Sequence, residues 1–111
     1  MPRKADSSEG VALTHAEGNA IRVSGALTFA SAGRAIEAFR PYCQQQTIKP
    51  LLLDLAAVTR MDSAGLALLL HWKRMAHAAG QPVRFSALPE QARNLAAVFG
   101  VADLIDSSST R

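Results

Sequence analysis

Two short alternating runs open the chain. In Val11–His15 and Ala20–Ser24 apolar and polar residues take turns, the second run through Ile21 and Val23. A period of two sends alternate side chains to opposite faces of a strand. Glu17-Gly18-Asn19 between them is a turn-forming segment, so the pair predicts a β-hairpin whose second strand ends at Gly25. From Phe29 to about Gln45 the period changes. Ala32, Ala35, Ile36, Phe39 and Cys43 recur at spacings of three and four and line one face of a helix, with Ser31 as its N-cap. Pro41 conflicts with that helix and predicts a kink or an early end. Pro50–Leu55 carries Leu51, Leu52 and Leu53 in a row, the pattern of a central strand buried on both faces. Asp54 to Asp62 predicts a connection with room for a helical turn.

Ser63 to Ala79 is the clearest helix, capped by Asp62 or Ser63 and stopped by Gly80. Gln81–Ala87 follows as a strand, with Val83 and Phe85 on one face and Arg84 and Ser86 on the other. Pro89 suits the first turn of another helix, which runs to about Phe99 with Leu95, Val98 and Phe99 on one side and stops at Gly100. Val101–Ile105 predicts a short extended or helical tail that packs back on the domain. The order ββαβαβα predicts an α/β sandwich, with a mixed sheet and helices mainly on one face. The unit from Leu51–Leu53 through the long helix to Val83–Phe85 should be parallel and right-handed.

The long helix carries more apolar surface than a small domain readily buries. Leu68, Leu69, Trp72, Met75, Ala76 and Ala79 form the stripe that should face the sheet. Ala67, His71, Arg74 and Ala78 lie on a second side, and Leu66, Leu70, Lys73 and His77 on a third. Either the last helix covers the surplus or a partner does.

Composition narrows the function classes. The 111 residues suit one domain, expected over 11–106 between tails at 1–10 and 107–111 expected to be disordered. No apolar run approaches the roughly 20 residues that span a bilayer, and nothing in Met1–Gly10 resembles a signal peptide, so a cytoplasmic location is expected. Twelve basic and nine acidic residues give a charge of +3. The basic ones are scattered, without interleaved aromatics, which argues against nucleic acid. Cys43 is the single cysteine, so no internal disulfide and no cysteine-rich metal site can form. His71 and His77 are six apart, on different helix faces, and form no metal pair. Neither a phosphate-cradling glycine loop nor a Gly-x-Ser-x-Gly elbow occurs, so no cofactor, metal or catalytic residue is expected.

The densest chemistry lies where the Leu-rich strand runs into the long helix. Asp62-Ser63-Ala64-Gly65 opens that helix, whose N-terminus presents unpaired N–H groups and a positive dipole end. Ser63 is either a capping residue, contributing about 1 kcal/mol, or a contact and phosphorylation point.

Leu52-Leu53-Asp54-Leu55, a short loop, then Met61-Asp62-Ser63-Ala64-Gly65-Leu66 resembles the signature of STAS domains, the fold of anti-sigma factor antagonists. Val23-Ser24-Gly25-Ala26-Leu27-Thr28-Phe29-Ala30 is similar to the family's second strand and following loop, and Leu95 to Ile105 to its closing helix. The resemblance implies four or five strands with helices on one side. It also implies that Ser63 stands where antagonists are phosphorylated by a partner kinase.

Gly65-Leu66-Ala67-Leu68-Leu69-Leu70-His71-Trp72 is similar to a second branch, the MlaB-like STAS subunit of the Mla phospholipid-transport ABC system of Gram-negative bacteria. That branch implies a non-catalytic subunit that binds and supports the cytoplasmic ATPase, peripheral to the inner membrane. The docking surface would then comprise Asp62, Ser63, Ala64, Leu66, Ala67, Leu70, His71 and Arg74. There the Ser63 position is often threonine, followed by glycine, so Ser63-Ala64 leans toward the phosphorylated antagonists.

Overall fold

The computed structural model describes residues 10–45 and 49–105. Apart from Gly10, the two expected tails lie outside that range. Eight elements follow in order: β1 (Val11–His15), β2 (Ala20–Leu27), α1 (Ala32–Cys43), β3 (Leu51–Met61), α2 (Ser63–Ala78), β4 (Val83–Ser86), α3 (Glu90–Val98) and the one-turn α4 (Ala102–Ile105). The sheet runs β1-β2-β3-β4. β1 and β2 form the antiparallel hairpin, while β2–β3 and β3–β4 are parallel. This is the mixed sheet the patterning predicts.

β3 departs from its sequence reading in two ways. First, its burial alternates: Leu51, Leu53 and Leu55 are buried, whereas Leu52 is 38% exposed. Ile21, Leu53 and Phe85 are register partners on the buried face. Ala12, Thr14, Arg22, Ala56 and Arg84 are exposed, so the opposite face is open and the strand is buried on one side only. Second, β3 continues through the expected connection to Met61. Its apolar spacing lengthens there from two to three, through Leu55, Val58 and Met61, which imitates a helical turn. Two register shifts against β2 absorb the extra residues: Arg22 and Ser24 pair with Asp54 and Ala57, then Gly25 and Ala26 with Val58 and Arg60. Each inserted residue turns the next apolar side chain back toward the core. β2 accordingly runs past Gly25 to Leu27.

Helix boundaries moved as well. α1 begins at Ala32, leaving Phe29 in the preceding loop. Ser31 occupies the N-cap position, but its hydroxyl makes no cap bond. Instead it donates to the Ala26 carbonyl at 2.7 Å and accepts from the Thr28 N–H at 3.1 Å, tying the loop to the end of β2. Pro41 sits in the last turn, and the helix ends two residues later. Its missing N–H therefore removes one bond near a terminus and leaves the interior intact.

α2 buries Leu68, Leu69, Trp72 and Ala76 as its spacing predicts. The Trp72 indole N–H donates to the Ala35 carbonyl at 3.2 Å, and its ring lies 5.0 Å from that of Phe39. That pair locks α1 to α2. Cys43 is fully within this core, 4% exposed, and desolvation pushes its thiol up from the ordinary cysteine value. At the far end Gly80 N–H bonds to His77 O at 3.0 Å and Gln81 N–H to Ala76 O at 2.8 Å. This closing pattern requires the positive φ of 76° that glycine supplies at position 80. α3 packs through Ala92 and Ala96 rather than through its larger residues. Leu95 is half-buried, and Val98 and Phe99 are 78% and 55% exposed.

Candidate functional site

Leu27 and Met61 are register partners at the ends of two parallel strands, so β2 and β3 stop side by side. The β2–α1 loop and the start of α2 therefore share one edge of the sheet, where α/β proteins commonly carry their sites. Asp62 joins the two. Its N–H bonds to the Leu27 carbonyl at 3.3 Å. Its Oδ1 accepts from the Gly65 N–H at 3.0 Å, the N-cap bond of α2, and its Oδ2 accepts from the Phe29 N–H at 3.2 Å. Desolvation works to raise the Asp62 carboxyl. The backbone N–H groups of Gly65, Phe29, Ala64 and Asp62 itself outweigh it and hold the carboxyl below its ordinary value. Charge-assisted bonds to the anion explain the direction.

Gly65 lets this junction close. An added Cβ would collide with the Leu27 carbonyl and come within 2.7 Å of Met61 Cγ. On the other side of the strand end, the Met61 N–H donates to Gln91 Oε1 at 3.2 Å, so α3 covers that backbone group.

Ser63 is exposed at the first position of α2. Because Asp62 supplies the cap, Ser63 is not the capping residue. Among the described residues its hydroxyl has no hydrogen-bond partner. Of the other residues expected at a docking surface, Asp62, Ala67, His71 and Arg74 are exposed, and Ala64 and Leu70 are half-buried. Ser63, Ala67, His71 and Arg74 follow one another at helical spacing and form a continuous exposed stripe. Leu66 does not belong to it. It is 3% exposed and packs into the core, because the close approach permitted by Gly65 draws the first turn of α2 against the strand ends.

Sequence reasoning missed Phe29, which is 83% exposed and held beside this edge through its N–H bond to Asp62. The helical pattern from Phe29 gives it no separate role; its place just before the N-cap is the available signal. The edge can thus present an aromatic ring, a free hydroxyl and the exposed Ser63–Ala67–His71–Arg74 stripe to another molecule. Among the described residues no group of three His, Cys, Asp or Glu side chains is arranged to hold a metal ion. No described helix is long and apolar enough to cross a membrane.

A sequence family described as "Mlab, STAS domain" matches residues 12–106. No curated protein matches the chain by sequence. Among solved structures, the anti-sigma factor antagonist SpoIIAA in its unphosphorylated form superposes with a TM-score of 0.63 at 14% identity, covering 86% of this chain and 84% of that one. SLC26A9 gives 0.60 at 19% identity over 74% of this chain, and Mglu 0.53 at 26% over 71%. The chain spans 16% of the SLC26A9 chain and 19% of the Mglu chain. SpoIIAA and SLC26A9 share the fold with this chain.

Proposed function

Since the chain belongs to the Mlab-type STAS domain family, a family of generally non-catalytic, protein-binding domains, we propose that it is the subunit that docks onto and supports the cytoplasmic ATPase of an ABC phospholipid transporter. The domain over 11–106 would bind as one unit, at the cytoplasmic face of the inner membrane through its partner and without a cofactor. One observation carries this reading. The exposed stripe of α2 starts at a serine whose hydroxyl the fold does not use. Ser63, Ala64, Ala67, Leu70, His71 and Arg74 make the contact, with Ser63 packing and hydrogen bonding at its edge. Asp62 positions that edge through its own backbone bonds. Ser63→Glu and Ser63→Arg should each abolish binding to the purified ATPase subunit while leaving the circular dichroism and melting curve unchanged. Undiminished binding by both variants refutes this surface.

The same free hydroxyl, followed by Ala64, favours a second reading as an anti-sigma factor antagonist phosphorylated on Ser63 by a partner kinase. A phosphate there would add up to about two negative charges at the helix start and change which partner binds. Incubation with the kinase and ATP, followed by mass spectrometry, distinguishes the two. Stoichiometric phosphate on Ser63 supports the switch, and an unmodified serine removes it.

A further inference from the structure

Below the Ser63 edge, α2 carries a second feature. Leu70, Lys73, Arg74 and His77 recur at helical spacing and form one wall of a cavity of about 230 Å³, with Leu104 of α4 opposite. Lys73 and His77 also line an adjoining cavity of about 390 Å³ that reaches Pro82 and Val83. The two spaces share Lys73 and His77, which mark a groove along the lower half of α2. From Leu70 to His77 it spans about 10 Å, at 1.5 Å per residue. Among the described residues, no acidic one lines either cavity. The Lys73 ammonium donates to the Leu104 carbonyl, which holds α4 in place as the second wall.

We propose that this groove receives an acidic amphipathic segment of the partner protein. The inference rests on the docking reading above and extends that interface one turn further, to Lys73, His77 and Leu104. Three features decide the occupant. Lys73, Arg74 and His77 gather basic side chains along the cavity wall, and no described acidic residue lines it, so an acidic segment is the charge complement. Leu70 and the 54% exposed Leu104 add apolar contacts beside the basic groups, the mixed lining that an amphipathic segment matches in a groove. The upper end, Leu70 and Arg74, is continuous with the Ser63 stripe. Charge complementarity would set orientation and speed encounter, while the leucines hold the bound segment.

The test uses two arms on the full chain. In the first, a short synthetic peptide with leucine and glutamate at helical spacing is titrated into the ¹⁵N-labelled protein. Amide shifts should cluster at Leu70, Lys73, Arg74, His77 and Leu104. Arg74→Glu and His77→Glu should each weaken binding about tenfold or more, and the glutamine counterpart of the peptide should bind no better than those variants. Shifts elsewhere, equal binding of the glutamine peptide, or binding of phosphatidylglycerol vesicles with none of the peptide overturns the proposal. The second arm measures His77→Glu against the purified ATPase. If wild type binds, Ser63→Glu does not, and His77→Glu binds as wild type, the docking reading stands and the groove inference falls. If wild type does not bind the ATPase while the peptide fills the groove, the ATPase assignment fails alone.

Discussion

Asp62 and Ser63 are neighbours with opposite structural roles. The Asp62 carboxylate bonds to two segments, so Asp62→Ala should cost about 1–2 kcal/mol, the range for a lost helix cap. Ser63→Ala removes a hydroxyl without a partner and should change stability by less than about 0.5 kcal/mol. Urea denaturation of both variants checks the pair. The pH dependence has a definite sign. Because the native carboxyl titrates below its ordinary value of 3.8, the ionised form favours the folded state. That contribution is complete above the unfolded value and disappears as pH falls through the lower native one. Asp62→Asn should therefore flatten the acid limb of the stability curve and leave the neutral region without further slope. Gly65 gives a third expectation. An alanine in a helix interior ordinarily gains about 1 kcal/mol over glycine. Here its Cβ meets the Leu27 carbonyl, so Gly65→Ala should instead destabilise, by about 1–3 kcal/mol.

At the scale of elements, β3 was the least legible. Its first half announces a strand, but three consecutive leucines hide which face is buried. The structure separates them: Leu53 pairs with Ile21 and Phe85 in the core, and Leu52 faces the open side. Leu53→Ala should cost about 2–5 kcal/mol and Leu52→Ala well under half of that, a contrast that a strand buried on both faces would not show. The second half reads as a connection because its apolar residues fall three apart. That spacing becomes strand-like only when the extra residues of β3 are taken up as register shifts against β2, and sequence does not display the neighbour. α2, in contrast, was legible nearly residue by residue. Its stripe of Leu68, Leu69, Trp72 and Ala76 needs only the helical period to be placed. Leu66 escaped that reasoning because its burial depends on how closely α2 approaches β2 and β3, a tertiary quantity.

For the whole molecule, the single tryptophan is a usable reporter. Trp72 is 0% exposed, packed at a tilt against Phe39 and bonded to Ala35. Its emission should be blue-shifted in the native protein and move to longer wavelength in one cooperative step. Cys43 lies in the same cluster, buried and with a raised thiol value. A thiol reagent should label it slowly in the native state, and the rate should rise with denaturant along the same transition as the Trp72 signal. Labelling well before that transition would mean that the end of α1 opens independently of the core.

The sequence by itself determined the element order, the mixed α/β class, the long helix and the position of Asp62-Ser63 at its start. Each of these follows from local periodicity, capping chemistry or short motif spacing. The tertiary structure alone decided which sheet face is open, how far β2 and β3 extend, which of Asp62 and Ser63 caps the helix, and that Phe29 is displayed while Leu66 is buried. Those outcomes depend on pairing register and on the approach of a helix to a carbonyl on another strand, contacts between residues far apart in sequence that no local pattern records.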